Sequence, residues 1–197
     1  YRAPGRREGI YPDKGDIYSK RITGGPGDTI LIKNKAVYIN GKYQNNPPSG
    51  ILDQFSVNKD YVDPLIFPKG SGWNADNYGP LRIPQKGDSI KITPVNYEQW
   101  KIFVLRENHK IHLSKDSTIT IDDIPNTDYI AEHDYYFIIG DNFDNSLDSR
   151  YWGFIPEENF IGKIIYIYWS WNSNIPYSQF GKKIASIRWN RIGKLIE

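Results

Sequence analysis

Hydrophobic and polar positions alternate in short bursts along most of the chain. DTILIKN and AVYING, residues 28–34 and 36–41, are two alternating runs separated by Asn34-Lys35, and Asn40-Gly41 supplies the residues a tight hairpin turn requires. These runs predict a β-meander. Upstream, IYSKRI predicts a strand over residues 17–22, with Tyr18, Lys20 and Ile22 on one face. SIKIT, KIHL, TITI and YYFII read as further short strands, and FIGKIIYIYWSW, residues 160–171, is apolar on both faces and predicts a central strand. Within PVNYEQWKIFVLREN the apolar positions Tyr97, Trp100, Ile102, Phe103 and Leu105 follow a rough 3.6-residue period, which predicts a helix. The closing SIRWNRIGKLI fits either a strand or a small amphipathic helix. Residues 1–16 read as loop, and residues 45–84, rich in Pro, Gly, Asn and Asp, read as an insertion.

Composition agrees with a mostly β fold. Aromatic residues make up 15% of 197 residues, beside 17 Gly and 13 Pro, which favours short pleated strands and many turns. The 25 basic and 23 acidic residues are mixed along the chain, leaving a formal charge of +2 and no polybasic stripe of the kind that nucleic acid demands. With no cysteine, disulfides, thiolate nucleophiles and Cys-ligated metals are excluded. No apolar stretch approaches the roughly 20 residues of a spanning helix, and no signal peptide opens the chain. The sequence begins at Tyr1 and contains no Met, which reads as a fragment of a longer protein.

The densest polar segment is GDNFDNSLDSRYWGF, residues 140–154, directly after YYFII. A calcium loop fails on spacing, because Phe143 and Ser146 stand where a ligand and the turn glycine belong and no Glu closes the pattern. No metal site follows. An Asx-rich turn would account for much of the segment, but Ser146, Asp148 and Arg150 stand at alternate positions, where an Asp-Arg pair would brace a loop. The second segment is YSKRITGGPGDT, residues 18–29, whose glycines lack the Lys-Ser/Thr of a phosphate loop. Lys20 is the notable residue there. A lone strand lysine is ordinarily a surface side chain, yet Tyr18 and Ile22 would flank this one and disfavour its charged form.

Together, KRITGGPGD followed by the VYINGK hairpin, and then GDNFDNSLDSRYWGF after an apolar strand, resemble the bacterial type I signal peptidases, the Ser-Lys proteases of the S26 type. Lys20 and Ser146 lie 126 positions apart, and GWNADNYGPLRIPQKGDSIKIT resembles the insertion of a Bacteroidetes-like branch. The resemblance runs over roughly residues 14–172. It implies a discontinuous antiparallel β catalytic domain, residues 1–44 and 134–197, carrying a smaller inserted α+β domain at 45–133. The implied activity is serine endopeptidase cleavage of signal peptides from exported preproteins, without a cofactor, by a chain tethered through an N-terminal segment and facing the periplasmic side of the cytoplasmic membrane.

By the same resemblance Lys20 is the general base and Ser146 orients it. Gly140 allows close backbone approach, Asp141 and Asn142 cap the turn, and Asp148 pairs with Arg150. Ile17 and Ser19 line the edge on which an extended substrate, with small residues first and third before the cut, adds as a strand. Gly25 and Phe143 stand where the family usually has an apolar residue and often an Arg. The family's nucleophile lies in a Ser-Met-x-Pro motif well upstream of the lysine, and the 19 residues before Lys20 contain none, so the segment alone is expected to be inactive. Ser19 points away from Lys20, and Ser49 sits in a Pro-rich loop; neither replaces it. Two rivals are a self-cleaving Ser-Lys repressor or polymerase-subunit fold and a non-catalytic peptide- or carbohydrate-binding module using exposed Trp73, Trp100, Trp169 and Trp171.

Overall fold

The computed structural model describes residues 17–45, 50 and 56–196. The predicted loop at 1–16, Ser49 and most of ILDQFSV lie outside the described residues. Two compact units, Tyr1–Ile161 and Gly162–Glu197, divide the chain.

In the first unit β1 (Arg21–Gly24) is followed by β2 (Thr29–Lys33), β3 (Ala36–Ile39) and β4 (Lys42–Tyr43). Both predicted tight turns form: Asn34, Lys35, Asn40 and Gly41 all have positive φ, the requirement of the turns that match strand twist. The meander gains a fourth member from the predicted insertion, β5 (Tyr78–Arg82), giving the antiparallel order β4-β3-β2-β5. Pro80 within YGPLR hid this strand from a period-2 reading.

Next come β6 (Ser89–Lys91), the predicted helix as α1 (Tyr97–Arg106), the ladder of β7 (Ile111–Leu113), β8 (Ile119–Ile121) and β9 (Ile124–Pro125), and β10 (Asp128–Ile130), which pairs with β6. One hydrophobic cluster joins these pieces, with Ile30, Ile32, Tyr78, Phe103, Tyr135, Phe137 and Phe154 all at most 2% exposed. Burying each such side chain contributes about 1.5–3 kcal/mol. Beside α1, the buried Glu107 accepts hydrogen bonds from the hydroxyls of Tyr129 and, at 2.7 Å, Tyr135, and from the amide of Glu132 at 3.1 Å. That carboxylate fastens the helix end to β10 and the strand after it.

The strand YYFII is β11 (Tyr135–Ile139), pairing antiparallel with β1 on one side and β12 (Ile155–Pro156) on the other; between them lies the single-turn helix α2 (Ser149–Trp152). The chain is thus mostly antiparallel β, as its pattern predicts. Three local expectations are corrected. Strand β1 starts at Arg21 and Ile17 makes only an isolated bridge, so residues 18–20 lie outside any strand. Ile22 is 53% exposed and makes no apolar wall. Residues 160–171 form no central strand: Tyr166 makes an isolated bridge to Leu195, and most of the run is exposed.

Described by itself, the second unit contains α3 (Phe180–Ala185) and an aromatic cluster of Trp169, Trp171, Trp189 and Tyr177. Lys183 is buried there, 4.3 Å from the Tyr177 ring centre, and donates to the Ile175 carbonyl at 2.6 Å. The final residues make a short 3-10 turn at Trp189–Arg191 and neither form expected of them. Among the described residues no helix is long and apolar enough to cross a membrane.

Candidate active site

The register of two strands sets the site. Arg21 stands opposite Ile139 in the β1-β11 ladder, so continuing one step past the pairing brings Lys20 toward Gly140. Beyond the short β12, the free edge of β11 is covered by side chains. The amide of Ile138 donates to Ser149 Oγ at 2.9 Å and that of Gly140 to Asp148 Oδ2 at 3.1 Å. The polar loop is therefore stitched to the strand that precedes it, which satisfies amides a shortened ladder leaves open.

Within this frame Lys20 Nζ donates to Ser146 Oγ at 2.6 Å. Gly140 makes the meeting possible. A Cβ at that position would lie 2.8 Å from Ser146 Cβ and 3.1 Å from Lys20 Nζ, and closer still to Ser146 Oγ. Lys20 is half-buried, and burial pulls its pKa below the ordinary lysine range; the Asp148 carboxylate opposes this, and the Arg150 charge adds to it. The apolar surface beside the amine is Trp152, whose ring centre lies 5.6 Å from Nζ and which packs edge-on against Tyr18.

Asp148 and Arg150 are 0% and 1% exposed. Arg150 Nε and Nη2 donate to the two Asp148 carboxylate oxygens at 2.9 and 2.8 Å, and Nη2 also donates to the Phe143 carbonyl at 2.6 Å. The segment is not extended: Asp148 caps α2 and accepts from the Arg150 amide, so a helical turn brings the two together. Asp141 is engaged by Arg21 in a bidentate pair, both contacts at 3.0 Å, and the 3-10 turn after Asn142 has no side-chain cap. Ile17, 73% exposed, and Ser19 are open to solvent at the end of the segment leading to Lys20.

Three contributors escaped the sequence reading. Trp152 faces the amine; Arg21 ties β1 to the loop; and Lys35, buried at the tip of the β2-β3 turn, reaches Asp144 at 2.5 Å. The only local signal was that Trp152 and Asp144 fall inside the same polar segment. A cavity of about 140 Å³ opens beside Gly140 and is lined also by Arg21, Ile22, Val37, Ile139 and Phe143. Among the described residues no cluster of His, Asp or Glu could hold a metal ion.

Of the tryptophans, Trp73 and Trp100 pack against the main core, which leaves little of an exposed aromatic platform in the first unit. Comparison with known proteins finds signal peptidases among the relatives of this chain. The chain is 31% identical over 206 residues to a signal peptidase I of Buchnera aphidicola subsp. Acyrthosiphon pisum, covering 93% of this chain and 61% of that protein. It is 28% identical over 188 residues to signal peptidase I of Pseudomonas aeruginosa, covering 87% and 52%, and 26% identical over 174 residues to signal peptidase IB of Staphylococcus aureus, covering 87% and 60%. It thus spans between about half and three fifths of the length of these relatives. The family described as Signal peptidase, peptidase S26 matches residues 4–169, and the chain belongs to that family.

Proposed function

We propose that this chain carries the general-base side of a Ser-Lys endopeptidase that removes signal peptides from exported preproteins. The observation that carries the reading is the 2.6 Å contact between a half-buried Lys20 amine and Ser146 Oγ. A neutral amine has two N–H groups and one lone pair. Spending one N–H on Ser146 fixes the rotation of the amine and so aims the lone pair. Lys20 then takes the proton of a serine hydroxyl supplied by a segment N-terminal to it, as that oxygen attacks the scissile carbonyl. The resulting ammonium gives the proton to the departing amine, and the acyl-enzyme is hydrolysed by water that Lys20 deprotonates in turn.

Gly140, Asp148 and Arg150 hold the geometry, and Asp141 ties the start of the loop to Arg21 of β1. Residues 18 and 19 belong to no strand, Ile17 and Ser19 are exposed, and this segment offers backbone groups to an extended substrate, while the cavity beside Gly140 has room for a small side chain. The signal-peptide substrate, the tether through an N-terminal membrane segment and the position outside the cytoplasmic membrane belong to the same reading, as does residues 45–133 being an insertion between the two halves of the site. The pairing of β1 with β11 across that interval supports the last point.

The test uses the full-length protein of the parent gene in detergent or vesicles with a preprotein substrate. Lys20→Ala abolishes cleavage and leaves the circular dichroism and melting curve of a folded protein. A folded Lys20→Ala enzyme that still cuts refutes the assignment. Because Lys20 must be neutral to act and its pKa is lowered, kcat/KM rises with pH along an acid limb centred below the ordinary lysine range.

A further inference from the structure

Arg106 ends α1, and its side chain reaches the backbone at the far end of α2, the helical turn that follows the Ser146 loop. Its guanidinium donates to the carbonyl of Trp152 and, at 3.2 Å, to that of Phe154. These two acceptors flank Gly153, whose φ of +78° is in the left-handed region, and where a Cβ would meet the Phe67 ring at 3.0 Å. Glycine leaves this joint freer to rotate than any other residue would. The Trp152 carbonyl also belongs to the last turn of α2, which has no further intrahelical donor and favours a cation. Arg106 therefore spans a joint of the backbone from outside it.

The joint carries the ring that faces the amine. Trp152 is 1% exposed and lies 5.6 Å from Lys20 Nζ. Around that amine stand Ser146, which accepts its hydrogen bond, the charges of Asp148 and Arg150, and the Trp152 face. On the other side, Arg106 is presented from a fixed support, since the adjacent Glu107 is held by Tyr129, Tyr135 and the Glu132 amide.

We propose that Arg106 is a positioning residue of the lysine site: by tying the carbonyls on either side of Gly153 to α1, it holds the Trp152 ring against Lys20 and keeps water from the amine. The inference rests on Lys20 being the general base. It gives α1, an element remote in sequence from both polar segments, a share in setting the basicity of the site. A guanidinium is suited to this because its planar fork reaches two acceptors at once, whereas an ammonium at the same place reaches one well.

The experiment measures Lys20 directly in this chain labelled with ¹⁵N-lysine, following its side-chain nitrogen against pH in the parent, Arg106→Gln, Arg106→Lys and Trp152→Phe. Arg106→Gln moves the titration upward by about half a unit to one unit as the amine gains solvent. The shift persists at 0.5 M salt, where loss of a distant positive charge would be screened. Arg106→Lys moves it by less, and adding Arg106→Lys to Trp152→Phe adds nothing, since both act on the same ring. In the full-length enzyme the acid limb of kcat/KM moves with the titration while KM stays within about twofold. A folded Arg106→Gln protein whose Lys20 titrates as in the parent overturns the proposal, whatever its melting temperature. If Arg106→Gln does not fold, an unshifted Arg106→Lys overturns it equally. Should Lys20→Ala still cleave substrate, the general-base reading falls, and the titration alone decides whether Arg106 governs the amine.

Discussion

Gly140→Ala tests the site with a single methyl group. The backbone at 140 is not left-handed, so alanine fits its dihedral angles and the perturbation is purely one of space. The new Cβ would stand 2.8 Å from Ser146 Cβ, against the roughly 3.5–4.0 Å at which two carbons rest. Strand 135–139 cannot retreat, because it is paired on both sides and the Gly140 amide is bound to the buried Asp148. Ser146 must therefore withdraw by about 1 Å, which stretches the 2.6 Å bond from Lys20 beyond the distance at which it counts as one. Overpacking of this kind costs about 1–3 kcal/mol of stability. A displacement of that size at a group that aims the base costs activity on the order of 10²-fold. Urea unfolding of this chain reads the first quantity and preprotein cleavage by the full-length enzyme the second. Repeating Gly140→Ala in a Ser146→Gly background, where the obstructed atoms are gone, should recover most of the stability loss as a coupling energy. A Gly140→Ala enzyme within about threefold of the parent kcat, or a full loss of stability persisting in the double variant, refutes the steric argument.

Two further predictions concern charge. Asp148→Asn leaves the Arg150 guanidinium, 1% exposed, without its counter-charge, and is expected to destabilise by about 3–5 kcal/mol in urea unfolding; a loss under about 1 kcal/mol would show the pair to be dispensable. His109 lies between Asp122 at 2.5 Å and Glu132 at 2.9 Å, and these hydrogen bonds raise its pKa above the ordinary histidine value. Its stabilising contribution is thus complete below about pH 6.5 and is lost as the pH climbs through the raised folded-state value. Between about pH 6.5 and that raised value the melting temperature of the parent should fall more steeply than that of His109→Gln, and parallel curves there would refute the linkage.

Much of the meander was legible because turn chemistry is local: Asn34-Lys35 and Asn40-Gly41 can take positive φ whatever surrounds them. The helix at 97–106 was legible for a similar reason, its period being carried by its own residues. The meeting of positions 20 and 146 was accessible only through the resemblance, since no local pattern spans 126 residues. The wall beside the amine was misread for the same cause. Alternation placed Ile22 there, but the ladder begins at Arg21 and the ring that faces Lys20 comes from the other polar segment. Residues 160–171 failed differently. The backbone of this run does find partners in the closing segment, as in the Ile167 amide donating to the Lys194 carbonyl, but most of its side chains are exposed, and apolar composition alone does not state which faces a neighbour covers. In the Lys35-Asp144 and Arg106-Trp152 contacts only Asp144 and Trp152 carried a signal, by lying in the polar segment; Lys35 and Arg106 look like ordinary surface charges in a sequence.

The long interval between Lys20 and its partner also fixes when the chain becomes chemically competent. Until the segment 146–152 has been made, the amine at 20 lacks Ser146, Arg150 and Trp152, the hydroxyl, the charge and the ring that stand around it in the fold. Closing so large a ring is entropically cheap per added residue, doubling its length costing only about 0.6 kcal/mol, but it cannot begin before residue 146 exists. On the general-base reading, the proton acceptor is therefore assembled only as the fold closes, after residue 146 has been made.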